Sequence, residues 1–447
     1  MRLLKEGLGG NVDSSPAAAS SSSVLIAGGY DSNTSAVTGT AELYDFDTRQ
    51  FSSTGSMTAP RVFHTATRLN DGRVLIAGGA SNNDPVREGG VLSSAEFFDP
   101  AKGTFMATGS MNFARAGHTA MLLPNGKVLV AGGLTENGDA GATAELYDPG
   151  TGKFSKLGNL TDGRVFATAT LLESGQELIA GGEELIAAGA INDAANLTQV
   201  RLGTAEIYKP ESAAFQCIGG VSFLGALCSP SMLSRRAYHT ATLLQNGRVL
   251  IAGGDGDCRS NIGKAELYDP AREDFVPAND MVADRQQHTA TRLTDGEVLL
   301  AGGLSPCGTG PPVVQAEIYD PAPFMLQSYS GAFSTTGSIT EPRARHTAVL
   351  LPAGPDAGQV LIAGGSLSGN ATAELYVPGS ETFECVGGAS AAPPACNPSM
   401  TEAREGHTAT LLVVPPTPVT KKQMTPAVPV TPASIATPIA TPPAAQD

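Results

Sequence analysis

The chain has 447 residues, of which 53 are glycine and 31 proline, while charged residues make up only 16%. That composition suits many short strands joined by turns and excludes a helical bundle or a charged disordered chain. A net charge of −15 with no basic cluster argues against a nucleic-acid partner, and no apolar run approaches the roughly 18 residues of a membrane span.

Residues 1–23 read as a leader or linker: MRLLKEGLGG carries positive charge without an apolar core, and a Ser/Ala-rich stretch follows. No secretory leader is recognised there, so the expectation is an exported body on a chain that is a fragment or has a misassigned start. From Val24 onward one phrase dominates. VLIAGG at Val24–Gly29 returns at Val74, Val128, Glu177, Val249, Val298 and Val360, which makes seven diglycines. Each is followed by an AELYDP-like segment beginning at Ala41, Ala95, Ala144, Ala205, Ala265, Ala316 and Ala373, and then by a strand around a Phe. HTATLL-like segments begin at His64, His118, Ala167, His239, His288, His346 and His407. Each unit therefore predicts four short strands. The first two are joined by Asn-Gly or Asp-Gly in four units, as at Asp71-Gly72 and Asn125-Gly126, a strong hairpin signal because both residues tolerate positive φ.

A four-stranded meander cannot bury both faces alone, and stacking units around an axis does so. The pattern resembles the kelch repeat over residues 24–412. The resemblance implies an all-β fold, a seven-bladed β-propeller of four-stranded antiparallel blades. The first VLIAGG has no HTATLL before it and the last HTATLL has no VLIAGG after it, so the C-terminal strand is expected to complete the first blade. Residues 413–447 are Pro/Thr/Ala-rich without periodicity and read as a disordered tail.

Residues repeated in every unit read as scaffold. They include an Arg three residues before each HTATLL segment (Arg61, Arg115, Arg164, Arg236, Arg285, Arg343, Arg404) and a Glu in each third strand (Glu42, Glu96, Glu145, Glu206, Glu266, Glu317, Glu374). These two sets are expected to pair, since buried charges need partners. All six histidines belong to the repeat and read as packing groups at strand starts, the alternative being a metal-binding ring near the axis at one mouth of the channel. The position before each histidine, or before Ala167 in the unit that lacks one, varies instead: Phe63, Gly117, Phe166, Tyr238, Gln287, Arg345 and Gly406. Variable side chains on an invariant frame suggest a binding surface, so Phe63, Phe166, Tyr238, Gln287 and Arg345 are the candidate binding residues. The longest loops, 183–204 and 80–94, are expected on that same face.

The cysteines fall in pairs. Cys217 and Cys228 enclose an insertion that Cys385 and Cys396 repeat at equal length, and both pairs predict local disulfides in an oxidising compartment. Cys258 and Cys307 each lie four residues after consecutive diglycines, which suggests a bridge between neighbouring blades, with free thiols or a metal pair as alternatives. Asp255-Gly256-Asp257 is too short to argue for calcium.

The segment Arg236-Ala237-Tyr238-His239 is similar to the copper-site blade of galactose oxidase and related kelch oxidases. That resemblance implies Tyr238 and His239 as metal ligands. The second tyrosine, the cross-linking cysteine and the further domain of that family have no counterpart here. The sequence therefore leads to an extracellular, cell-surface or periplasmic monomer with no enzymatic activity and no cofactor. It would be a binding module for a protein or carbohydrate partner at the loop-rich face near blades four and five. A copper oxidoreductase using Tyr238 and His239 is the alternative, and a mutarotase-like carbohydrate enzyme is a third, weaker reading.

Overall fold

The computed structural model describes residues 22–31, 33–187, 197–220, 228, 231–256, 264–305, 312–321, 331–365, 371–388, 396–397 and 399–412. Cys258, Cys307, the leader 1–21 and the tail 413–447 lie outside them. The strands form seven four-stranded antiparallel sheets, the blades of a propeller. Blades are numbered here from the one holding Val24, and strands within a blade from the innermost.

Ring closure follows the expected route. Thr408–Leu411 pairs with Ser23–Ala27, placing Val24 opposite Leu411 and Ala27 opposite Thr408, so the chain's last strand is the innermost strand of blade 1. Second strands such as Val74–Ala77 are buried at every position, because a neighbouring blade covers each face, and their unbroken apolar run VLIA follows from that. Outermost strands such as Gln50–Ser53 are largely exposed, and only the Phe of the repeat turns inward. The core is a set of inter-blade clusters. Leu25 and Leu43 of blade 1, for example, meet Val74, Ile76 and Phe98 of blade 2.

The predicted Arg–Glu pairing occurs in all seven blades, with guanidinium-to-carboxylate distances between 2.6 and 2.9 Å. In blade 2, Arg61 donates to Glu96 and to the Gly78 and Ser94 carbonyls, while Glu96 accepts the Thr58 and Ala59 amides. The diglycine accommodates this frame. Gly28 has φ +63°, and a Cβ there would lie 2.6 Å from the Arg61 carbonyl oxygen of the next blade. The Gly29 N–H donates to that same carbonyl at 2.9 Å.

Two local disulfides form as expected, Cys217–Cys228 and Cys385–Cys396, with Cα separations of 5.4 and 5.3 Å. They fit an oxidising, extracellular setting. The region 183–204, read from sequence as a loop, instead carries a two-stranded ribbon of Glu183–Ala187 and Leu197–Arg201. Its apolar residues alternate weakly, so the pattern did not announce a strand. No helix among the described residues is long and apolar enough to cross a membrane.

Blade 4 departs from the repeat at one core position. Glu177 stands where the other blades have Val24, Val74, Val128, Val249, Val298 and Val360. It is fully buried, neither carboxyl oxygen has a hydrogen-bond partner, and burial pushes its pKa up to about 8. The folded protein thus retains a proton there that the unfolded chain releases above the ordinary value of 4.5. Stability consequently drains away as pH rises from about 4.5 to 8.

Two stability predictions follow from this frame. Glu177→Val should raise the melting temperature, with a gain that grows between pH 5 and 8 and reaches on the order of 3–5 kcal/mol; a gain independent of pH would show that the carboxyl does not titrate there. Arg404→Ala strands Glu42 at the ring closure and should cost about 3–5 kcal/mol by chemical denaturation, whereas removing the exposed Lys102–Asp99 pair should cost less than about 1 kcal/mol.

Candidate functional site

The residues preceding the six repeat histidines, with Phe166 before Ala167 in the one unit that lacks a histidine, form a ring at one mouth of the central channel. All seven have left-handed backbone, with φ between 53° and 60°. Five of them are not glycine, and each pays roughly 1–2 kcal/mol for that conformation. These five are Phe63, Phe166, Tyr238, Gln287 and Arg345, the residues singled out from the sequence. The strain itself was invisible there, because the frame that enforces it is tertiary.

Backbone hydrogen bonds join the ring from blade to blade. Gly117 donates to Phe63, Phe166 to Gly117, Gln287 to Tyr238, Arg345 to Gln287, Gly406 to Arg345 and Phe63 to Gly406, at 2.9 to 3.3 Å. One step is open: the Tyr238 N–H makes no bond to the Phe166 carbonyl. A second seam runs beneath the first. Each histidine Nε2 pairs with a threonine hydroxyl of the preceding blade, as in His64–Thr408 at 3.1 Å and His239–Thr168 at 2.9 Å. Burial, followed by the nearby repeat arginine, lowers His64 and His239 to about 3, so both stay neutral.

Two cavities meet at the ring. The channel mouth, about 290 Å³, is lined by all five variable side chains together with His239, His288 and His346. A smaller cavity of about 150 Å³ shares Phe63, Phe166, Tyr238 and Arg345 and adds Glu183 and Leu185 from the ribbon. Phe166 reaches across blade 3 to meet Phe63 edge-on at 5.7 Å. Gly117 makes this possible, since a Cβ there would lie 2.7 Å from the Phe166 ring. On its other side Phe166 meets the Tyr238 ring at 4.7 Å.

Sequence reasoning missed the charged cluster beside Tyr238. The Tyr238 hydroxyl donates to Glu183 at 3.2 Å, Glu183 pairs with Arg201 at 2.6 Å, and Arg201 pairs with Asp255 at 2.5 Å. Glu183 and Arg201 face each other only because the ribbon pairs them in register. Burial raises both the Glu183 carboxyl and the Tyr238 phenol above their ordinary values, while Arg201 pulls Glu183 back. On the opposite side Arg345 donates to Gln287 at 3.1 Å and lies 3.7 Å from Glu405, whose other carboxyl oxygen is buried and unpartnered.

These residues do not fit a copper ion held by Tyr238 and His239. His239 spends Nε2 on Thr168 as five other histidines do on their own threonines, and its ring packs against the diglycines. Tyr238 turns its hydroxyl to Glu183, and the cation between the carboxylates of Glu183 and Asp255 is already a guanidinium. The one clustered metal-ligand set among the described residues, Glu206 with Cys217 and Cys228, has its sulfurs in a disulfide.

No family model matches the chain, and no curated protein does. Many solved structures share the fold. One is a fungal alcohol oxidase of the AA5 family, in complex with copper, which is 16% identical with a TM-score of 0.54. The match covers 75% of this chain and 66% of that protein, slightly less than two thirds of its length. At that identity the likeness establishes the propeller and nothing finer. The matched propeller is an oxidase, so two expectations are corrected to this extent: neither a binding module for a protein or carbohydrate partner nor a lack of enzymatic activity is supported by the structure the chain resembles.

If His239 is scaffold, His239→Gln and His64→Gln should lose similar stability, on the order of 1–2 kcal/mol by thermal melting. Metal content of the purified protein should be the same in both variants. Stoichiometric copper abolished by the His239 change alone would contradict this.

Proposed function

We propose that the chain is an enzyme of the alcohol-oxidoreductase class, with its active site at the channel mouth. One observation carries the reading: Tyr238, whose hydroxyl donates to the buried Glu183, lines both cavities at the strained ring. The likeness to a copper-bound alcohol oxidase and the kelch-type repeat add support.

In this reading Phe63 and Phe166 seat the carbon skeleton of the substrate, and Gln287 and Arg345 meet its polar groups. Oxidation of a carbinol removes two protons and two electrons. Glu183 accepts the hydroxyl proton through Tyr238, and Arg201 favours the ionised carboxylate needed for that role. A two-electron acceptor from solution, dioxygen or a quinone-type dye, takes both electrons and the carbinol C–H hydrogen, and leaves as hydrogen peroxide or the reduced dye once Glu183 returns its proton; no step is assigned to copper on Tyr238 and His239. Exported location is part of the same reading, on the strength of the two disulfides.

The test is oxidation of a panel of primary alcohols and sugars, run with dioxygen, with dioxygen plus copper(II), and with a soluble dye acceptor. Tyr238→Phe and Glu183→Gln should each lower kcat by roughly 10²-fold or more. The wild-type rate should rise with pH through the elevated Glu183 titration, a limb that Glu183→Gln lacks. Absence of turnover in every arm, or turnover indifferent to both substitutions, would overturn the proposal.

A further inference from the structure

The smaller of the two cavities has a wall whose chemistry limits what it can hold. It lies within an apolar cluster distinct from the seams between blades, in which Val62, Ala116, Leu134, Val165 and Leu185 are all buried. Both long insertions contribute to its wall. Val86 comes from the short helix Pro85–Glu88 inside loop 80–94, and Leu185 comes from the ribbon of blade 4. The polar groups on that wall are largely engaged. Glu183 is held by Arg201 and Tyr238, Arg345 by Gln287 and Glu405, and Asp84 has a partner of its own. Among the lining residues only Asn83 leaves a buried side-chain oxygen unpaired.

The volume, about 150 Å³, is that of an apolar cavity able to take up benzene. We infer that this cavity seats the hydrocarbon body of the substrate, a single benzene-sized ring, and so selects benzyl-type alcohols over sugars. The inference rests on the active-site reading and deepens it by naming the substrate class. The carbinol then lies where the cavity meets the channel mouth, because Phe63, Phe166, Tyr238 and Arg345 line both. Contacts with the Phe63 and Phe166 rings favour a flat aromatic body. A sugar would bring several hydroxyls to a wall with one unpaired acceptor, and every hydroxyl left without a partner opposes binding.

The test reads binding and turnover separately on the full chain. Displacement of 4-fluorobenzyl alcohol, followed by its ¹⁹F resonance, measures affinity without an electron acceptor. Benzyl alcohol should displace the probe, and galactose or glycerol should need roughly 10²-fold higher concentration. 2-Naphthalenemethanol, one ring too large, should need roughly tenfold more than benzyl alcohol. Ala116→Leu fills the cavity and should weaken benzyl alcohol roughly tenfold, lowering its kcat/KM relative to ethanol by a similar factor. Leu185→Ala enlarges the cavity and should remove the penalty on 2-naphthalenemethanol, so it decides the matter if Ala116→Leu fails to fold. No displacement by benzyl alcohol, equal affinity for benzyl alcohol and galactose, or size preferences indifferent to both substitutions would overturn the seat. The two readings fail separately. Ring-selective displacement without turnover of any alcohol removes the enzyme and keeps the seat, whereas Tyr238-dependent turnover of ethanol, benzyl alcohol and sugars alike removes the seat and keeps the enzyme.

Discussion

The buried arginine–glutamate pair, made once per blade, is the contact on which the rest of this propeller depends. An ion pair taken out of water is a weak stabiliser by itself, because desolvation offsets the Coulomb gain. Here each guanidinium also binds the carbonyl of its own diglycine, and each carboxylate also receives the amide that starts the crossing into the innermost strand, as in Arg343–Gly364 and Glu374–Thr340. With the two charges set against each other and tied to the main chain, although six of the seven arginines leave a buried Nε without a hydrogen-bond partner, the pair acts as a fixture. It sets where the chain leaving the rim of one blade must turn inward, and removing either partner leaves a buried charge unmatched.

The mouth inherits its geometry from that fixture. Two residues separate each arginine from its histidine (from Ala167 in blade 4), and within that span the chain must pass the arginine carbonyl to the neighbouring diglycine and, where there is one, the histidine ring to the neighbouring threonine. A left-handed residue between them satisfies both demands, which is why Phe63, Phe166, Tyr238, Gln287 and Arg345 tolerate a backbone that glycine would adopt without cost. Side chains at these positions are held facing the channel by the scaffold, so their identities can vary without endangering the fold. A frame that is fully specified beneath a ring that is unspecified in sequence is well suited to chemistry by substitution.

Histidine and tyrosine at the mouth play opposite parts despite being adjacent. His239 is one of six copies of a neutral, buried spacer between blades, and its depressed pKa removes it from titration near neutral pH. Tyr238 occurs once in its ring, shares a carboxylate with an arginine from an added ribbon, and sits at the one junction where the main chain is left open. The asymmetry of the site comes from blade 4 and its insertion, laid over a sevenfold frame that would otherwise offer the same surface in every direction.

Sequence alone determined the seven blades, the closing strand, the Arg–Glu pairing and the two disulfides seen among the described residues, because each is a periodic or local property: repeated spacing, residue type and equal loop length carry it. The ring positions could be found as well, since they vary where their neighbours do not. Only the tertiary structure decided what those positions do. The ribbon register that sets Glu183 against Arg201, the reach of Phe166 over Gly117 and the commitment of His239 to Thr168 all join residues that are far apart in sequence, and no pattern in one strand records them.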